Sequence, residues 1–248
     1  MSNTIHKTNG IVLRCVKYGD TSIIASVYTE LFGLQSYIIK GVRKTTKKGF
    51  SNANYFLPGA LLNMQVYHNE QKQLQFIKEY QWLYLYQHIF FDVVKNAVAM
   101  FAVELVQHSI KQPEGNSELF YFIEYSLKQL DEATPTITAN FPLYFSLKMG
   151  EALGFGIQKN YNETNVILDL QEGFFTNSLP HHQYFIENPL SGIAAQILNF
   201  ENIKDLQDVQ LNKKTRRQLI DYFNQYFALH ISNFTELKTV EVLKEVLE

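Results

Sequence analysis

Short alternating apolar segments fill the first third of the chain, and segments with helical periodicity fill the rest. The alternation predicts five strands, at residues 10–18, 22–29, 34–40, 60–68 and 73–80. Turn residues separate most of them, and one long connection follows the third strand. Five short antiparallel strands with one long connection are typical of a small closed barrel of the oligonucleotide-binding (OB) kind.

Helical periodicity begins near residue 84, where Ile89 to Leu105 share an apolar face until residues 113–116 break the pattern. Further helices are expected at residues 117–130, 141–153, 192–200, 212–231 and 236–247, with a weak strand at 166–170. The predicted fold class is therefore α+β. A five-stranded OB-fold barrel at residues 1–82 precedes a mainly α-helical domain at 83–248, which has an irregular, cysteine-free insert near 155–190.

The charge divides in the same place as the pattern. Residues 1–82 carry 10 Lys/Arg against 4 Asp/Glu, a net charge of +6, whereas residues 83–248 carry 12 against 20, a net charge of −8. The overall charge of −2 therefore conceals a basic β module joined to an acidic helical one. Five cations stand in the nine residues 40–48, a pattern that suits contact with a phosphate backbone.

Several kinds of chemistry lack the residues they need. Cys15 is the single cysteine, so disulfides within the chain and thiolate metal clusters are excluded, and we expect it to be a packing residue. His181 and His182 have no further ligand at metal spacing. No phosphate-binding loop, dinucleotide fingerprint or nucleophile elbow is found, so we expect no metal, no cofactor and no catalytic residue.

The most apolar stretch, residues 89–110, contains too many polar side chains to span a membrane, and the first residues have no apolar leader. We therefore expect a soluble, cytoplasmic protein that acts without a membrane.

Four segments of the first third together resemble a known family. They are Gly-Ile-Val-Leu-Arg at 10–14, Tyr-Gly-Asp-Thr-Ser-Ile-Ile at 18–24, Tyr-Thr-Glu-Leu-Phe-Gly at 28–33 and Lys-Gly-Val-Arg at 40–43. Their order and spacing are similar to the N-terminal signature of the bacterial recombination mediator family RecO. Residues 145–155 and 215–231 resemble later parts of the family more loosely.

The resemblance implies an OB-fold barrel and a helical C-terminal domain in a protein of the RecFOR pathway of DNA repair and recombination. It implies binding of single- and double-stranded DNA, strand annealing, and work with RecR to load RecA onto DNA coated by single-strand-binding protein (SSB). A nucleoid-associated location would follow. Many members carry paired cysteines for zinc after the mid-domain helix, but residues 155–190 hold none, so zinc is not carried over. We expect the aromatic residues of the insert to hold it by packing instead.

The candidate DNA-binding residues are the basic loop, two cations of the first strand and one aromatic residue of the third. The alternation does not show on which face of the sheet Tyr37 of the third strand or Tyr67 of the fourth strand lies. Each ring could stack on a base, and packing within the barrel is the alternative. A solvated surface loop is the alternative for the cations. The candidates are Arg14, Lys17, Tyr37, Lys40, Arg43, Lys44, Lys47 and Lys48.

A second candidate site lies at the start of the late helix, where Lys213, Lys214, Arg216 and Arg217 occupy the first turns. Cations are disfavoured at the positive end of a helix dipole, so their presence indicates an anion site. The acidic C-terminal tail of SSB suits such a site, and a second DNA contact is the other candidate. Neutralisation by nearby acids such as Asp221 is the structural alternative.

Two other functional classes remain open. A nuclease would need converging carboxylates, but the acids of the basic module, Asp20, Glu30, Glu70 and Glu79, are scattered over different segments. A protein-interaction adaptor would leave the basic loop without a DNA-binding role.

Overall fold

The computed structural model of the chain describes residues 4–44, 52–110 and 113–247. Five strands form a closed barrel in the order β1-β2-β3-β5-β4. All neighbouring pairs are antiparallel except β3 and β5, which are parallel. The predicted five-stranded barrel is confirmed. Its strands are β1 (Ile5–Tyr18), β2 (Ser22–Thr29), β3 (Gly33–Ile39), β4 (Leu61–Tyr67) and β5 (Leu74–Tyr84).

The length of β1 is what allows the barrel to close. Its first half, from Ile5 to Ile11, pairs with β4, and its second half, from Gly10 to Tyr18, pairs with β2. A register shift between Val12 and Arg14 marks the bend between the two halves. Gly10 lies at the crossing, where a Cβ atom would meet the side chains of Met64 and Val27 inside the barrel.

A predominantly helical region follows the barrel, as the sequence predicts. Thr134 caps α3 through its side chain, and Pro135 occupies the first turn, where its missing N–H costs nothing. α3 is buried along most of its length and forms the centre of this region. The helices are α1 (Val93–Ser109), α2 (Ser117–Glu132), α3 (Pro135–Ala152), α4 (Leu190–Leu198), α5 (Lys213–His230) and α6 (Thr239–Val246).

The expected irregular insert contains a small three-stranded sheet in the order β7-β6-β8. Phe175 of its edge strand β7 is buried, packs edge-on against Tyr161, and makes hydrogen bonds through its backbone N–H and carbonyl with the side chain of Asn160. Packing and hydrogen bonds of this kind hold these described residues together. The strands are β6 (Ile167–Asp169), β7 (Phe174–Thr176) and β8 (Phe185–Ile186).

The chain forms two compact units that do not follow a single cut in the sequence. One unit contains residues 1–86 together with 110–128, and the other contains residues 87–109 together with 129–248. The expected boundary after residue 82 lies inside β5, which continues to Tyr84. The chain therefore returns to the barrel unit after its first helix.

The returning segment packs closely on the barrel. Gly33, with φ +59°, faces the backbone of Glu114, and Gly115 faces the backbone of Leu31 so closely that a Cβ atom on either glycine would collide. Tyr28 then donates a hydrogen bond from its hydroxyl to the carbonyl of Asn116 at 3.3 Å. The turn between β2 and β3 is thus a packing surface for this segment.

Among the described residues, no helix is both long and apolar enough to cross a membrane.

Candidate nucleic-acid interface

One face of the barrel carries a continuous apolar row across four strands. Val16 pairs with Ile24, Ile24 pairs with Ile38, and Ile38 pairs with Phe76 of β5. Directly paired residues project from the same side of a sheet, so these four side chains line one surface. Val16 is 38% exposed and Phe76 is 42% exposed, so the row lies on the outside of the barrel. We call this surface the outer face.

Exposed cations surround the outer face. Arg14 precedes Val16 by two residues on β1, and Lys40 follows Ile38 by two residues at the end of β3. Lys17 and Lys44 are exposed as well. Within the described residues none of these four cations has an ion-pair partner. Their charges are therefore available to a phosphate backbone.

The basic loop begins as a turn that is tied to the neighbouring hairpin. Arg43 donates from its backbone N–H to the carbonyl of Thr21 at 3.0 Å and from its guanidinium to the carbonyl of Gly19 at 3.1 Å. Val42 beside it is buried. Arg43 thus holds the loop against the β1–β2 turn, which brings Lys40 and Lys44 to the same end of the barrel as Lys17. Lys47 and Lys48, also expected to bind DNA, lie outside the described residues.

Phe76 is a candidate DNA-contacting residue that the sequence analysis missed. The ammonium of Lys40 lies 5.8 Å from the centroid of the Phe76 ring, a cation–π distance. An exposed ring beside a cation is the arrangement with which proteins bind single strands, because the ring stacks on a base and the cation attracts its phosphate. The position of Phe76 opposite Ile38 depends on the parallel pairing of β3 with β5, which local alternation does not reveal.

The expectation that Tyr37 stacks on a base is wrong. Its side chain is 0% exposed, because it pairs with Ala25 on the inner side of β2 and β3. Burial raises the pKa of its phenol, and its hydroxyl has no hydrogen-bond partner among the described residues. Tyr37 is therefore a core residue, whereas Tyr67 is half-buried opposite Phe76.

One of the four cations of the second candidate site is buried and serves the fold. Arg216 is 6% exposed, so the expectation that it receives an external anion is wrong. Its guanidinium donates to Oδ1 of Asn140 in α3 at 3.2 Å and to the carbonyl of Leu211 at 3.0 Å. Asn140 in turn donates to the carbonyl of Val209 at 2.8 Å. Burial lowers the pKa of Arg216, and the side chain fastens the start of α5 to α3.

The other three cations differ in exposure. Arg217 is half-buried and donates to the carbonyl of Lys244 in α6. Lys213 and Lys214 are exposed and lack an ion-pair partner in the part of the chain that the structure describes. Asp221, considered above as a neutralising acid, pairs instead with Lys244 at 2.9 Å. The anion site thus reduces to two exposed lysines at the start of α5.

Two acids of the barrel make hydrogen bonds within the fold. Glu30 accepts hydrogen bonds from Asn9 and Tyr121, and Glu79 accepts one from Gln65. Across the described ranges no three His, Cys, Asp or Glu residues converge as a metal site would require. The arrangement required for metal-dependent cleavage is therefore not found among these residues.

His182 and Cys15 also have structural surroundings. His182 lies 3.2 Å from a carboxylate oxygen of Asp169 and accepts the backbone N–H of Tyr184. Cys15 is half-buried, and burial raises the pKa of its thiol. Neither has the surroundings of a nucleophile or a metal ligand.

The barrel and the helical region each match a known family model. Residues 1–86 match the model of the recombination protein O N terminal region, and residues 91–239 match that of the C terminal region. The chain belongs to the RecO family. It is 30% identical over 239 residues to the DNA repair protein RecO of Christiangramia forsetii, which covers 96% of this chain and 98% of that protein. It is also 29% identical to the DNA repair protein RecO of Bacteroides fragilis, over 98% of this chain and 100% of that protein.

Membership in the RecO family places the chain among DNA repair proteins and confirms the resemblance seen in the first third of the sequence. The match extends through the helical region, where the sequence resemblance was looser.

Proposed function

We propose that this chain is a non-enzymatic recombination mediator that binds single- and double-stranded DNA on the outer face of its barrel. It anneals complementary strands and, with RecR, helps to load RecA onto SSB-coated single strands. The observation that carries the proposal is the outer face, where an apolar row with the exposed side chains of Val16 and Phe76 at its two ends lies among cations without ion-pair partners in the described residues.

The outer face would contribute to DNA affinity in two ways that can be measured separately. Cations release counterions from the phosphate backbone, which makes the affinity depend on salt. Phe76 supplies a stacking contact, which depends on the bases and little on salt. The salt dependence of binding is therefore a direct measure of the cations.

Fluorescence anisotropy with a labelled single-stranded oligonucleotide at several salt concentrations tests the proposal. The triple variant R14E/K40E/K44E should bind at least tenfold more weakly. Its slope of log affinity against log salt should fall by about 2, since each lost phosphate contact on a single strand removes about 0.7. A triple variant that keeps both the wild-type slope and the wild-type affinity would exclude the outer face.

A control variant, K159E/K204E/K238E, makes the same change in net charge at three exposed lysines of the other compact unit. It should keep the slope close to that of the wild type. An equal loss in both variants would show that total charge, and not the outer face, controls binding. Absence of DNA binding by the wild type at low salt would instead favour a protein-interaction adaptor.

We infer that Lys213 and Lys214 contribute to docking of the acidic SSB tail. Both are exposed at the start of α5, and Asp221 on the same helix is paired with Lys244. Titration of a labelled SSB tail peptide should show a loss of binding in K213E/K214E. The single variant K204E, at an exposed lysine of the same unit, should bind normally. Equal binding by all three proteins would remove the two lysines from the docking site.

A further inference from the structure

A cavity of about 570 Å³ opens beside the loop that joins β4 to β5. Its lining includes Leu34 and Ser36 of β3 and His68, Glu70, Lys72 and Gln73 of the loop. This volume is within the range of cavities that hold small organic groups. The loop between the fourth and fifth strands is also one of the two that carry ligands in OB-fold barrels.

The wall of the cavity is held in place by the side chain of Gln75. Its amide oxygen accepts the backbone N–H of Asn69 at 3.0 Å, and its amide nitrogen donates to the carbonyls of Asn69 and Lys72 at 2.8 and 2.6 Å. Asn69 in turn accepts the backbone N–H of Gln71 at 2.9 Å. A loop fixed by such hydrogen bonds presents a preformed site, which reduces the entropy lost when a ligand binds.

His68, which lines the cavity, belongs to an aromatic cluster. The ring of His68 lies parallel to that of Phe32, with centroids 3.9 Å apart and an interplanar angle of 11°. His6 packs edge-on against Phe32 at 5.2 Å. The cavity thus offers the ring of His68, which Phe32 supports from behind, as an aromatic surface.

The charges of the cavity favour a base over a phosphate. Lys72 contributes one positive charge and Glu70 one negative charge, so the lining is neutral overall. A carboxylate repels a phosphate group, whereas it accepts hydrogen bonds from the amino groups of bases.

The cavity is continuous with the outer face. Ser36 pairs with Leu74, and two residues further along the same strands Ile38 pairs with Phe76. Since residues two apart on a strand project from the same side, Ser36 and Ile38 face the same surface. A strand that contacts Phe76 therefore passes the mouth of the cavity.

We propose that this cavity holds one unpaired nucleobase of a single strand bound along the outer face. The base stacks on the ring of His68, and its polar edge meets the Ser36 hydroxyl and the Glu70 carboxylate. The inference rests on the proposed DNA binding and adds to it a site for a base, which the cations alone do not provide.

The test compares two labelled oligonucleotides of equal length, one of cytidines and one made entirely of abasic residues. Both carry the same backbone charge, so the ratio of their dissociation constants measures the contribution of the bases. Filling the cavity with Ser36→Leu should reduce this ratio by about tenfold, the value of one stacked base. Salt dependence should not change, since no cation is altered.

Ser26→Leu is the matched control. Ser26 pairs directly with Ser36 across β2 and β3 and is also half-buried, but it does not line the cavity. Its ratio should equal that of the wild type. Circular dichroism establishes that both variants are folded before they are compared.

A second measurement needs no variant. In an oligonucleotide that carries one 2-aminopurine, the fluorescence of this base should be strongly quenched when it stacks in the cavity, and excess cytidine oligonucleotide should restore it. A wild-type ratio near one, or a ratio unchanged by Ser36→Leu, would overturn the inference while leaving DNA binding intact. Failure of both oligonucleotides to bind the wild type would overturn the proposed function itself.

Discussion

Replacing Arg216 by methionine tests whether this cation stabilises the fold or binds an external anion. In the folded protein its guanidinium donates hydrogen bonds to Oδ1 of Asn140 at 3.2 Å and to the carbonyl of Leu211 at 3.0 Å, and 6% of the residue is exposed. A hydrogen bond from a charged donor contributes about 1.5 to 3 kcal/mol, and the desolvation of the buried cation offsets part of the sum. Arg216→Met should therefore lower the free energy of unfolding by about 3 kcal/mol.

Urea denaturation followed by circular dichroism is the appropriate assay. The only tryptophan, Trp82, lies in the barrel unit, so its fluorescence does not report on α5. With a denaturant slope of about 2 kcal/mol per molar urea, the midpoint of the helical unit should fall by about 1.5 M. The double variant K213M/K214M, at exposed positions of the same helix, should change the midpoint by less than about 0.3 M.

The reasoning is refuted if Arg216→Met keeps the wild-type midpoint but loses binding of the SSB tail peptide. That result would mean that Arg216 turns outward to receive an anion. A lowered midpoint with peptide binding retained below the transition supports the structural role.

Three further perturbations test other parts of the structure. Gly33→Ala should destabilise the barrel unit by about 2 to 4 kcal/mol in urea denaturation. Gly19 has nearly the same φ, +60°, but open space around it, so Gly19→Ala should cost only about 1 kcal/mol for the backbone conformation. Equal losses would mean that the backbone of Glu114 does not lie against Gly33. Tyr37→Phe removes a buried hydroxyl without a partner in the described residues, so stability should stay level or rise by about 1 kcal/mol, and affinity for single-stranded DNA should not change; a severalfold loss of affinity would contradict the burial of this ring. Burial lowers the pKa of His68 below its ordinary 6.5, so the unfolded state binds more protons just below that pH, and stability should decrease as the pH falls through this window. His68→Gln should weaken this dependence when urea midpoints are compared at about pH 7.5 and about pH 5.5, and an unchanged dependence would assign it to other groups.

Local patterns in the sequence were enough to predict the barrel. The second strand was predicted at residues 22–29 and is observed there, because alternation and turn residues act over a few positions. The first strand begins at Ile5, earlier than residue 10 where the prediction started, because its early half is defined by pairing with β4 far along the chain.

The candidate sites were predicted less completely, for the same physical reason. Arg14, Lys40 and Lys44 are exposed, as charge alone suggests. The burial of Tyr37 depends on which side of β3 faces inward, and the contact of Arg216 with Asn140 joins residues 76 positions apart. Such contacts leave no mark on local composition. The exposure of Phe76 likewise follows from a parallel pairing between strands that are not consecutive.

The return of residues 110–128 to the barrel has a consequence for any attempt to isolate that unit. A protease cut after Tyr86 yields a fragment that contains all five barrel strands but lacks Asn116 and Phe120, which pack on Tyr28. The two fragments would stay associated through this packing until a denaturant separates them. An autonomous barrel therefore requires a circularly permuted or linker-joined chain that keeps residues 110–128 together with residues 1–86.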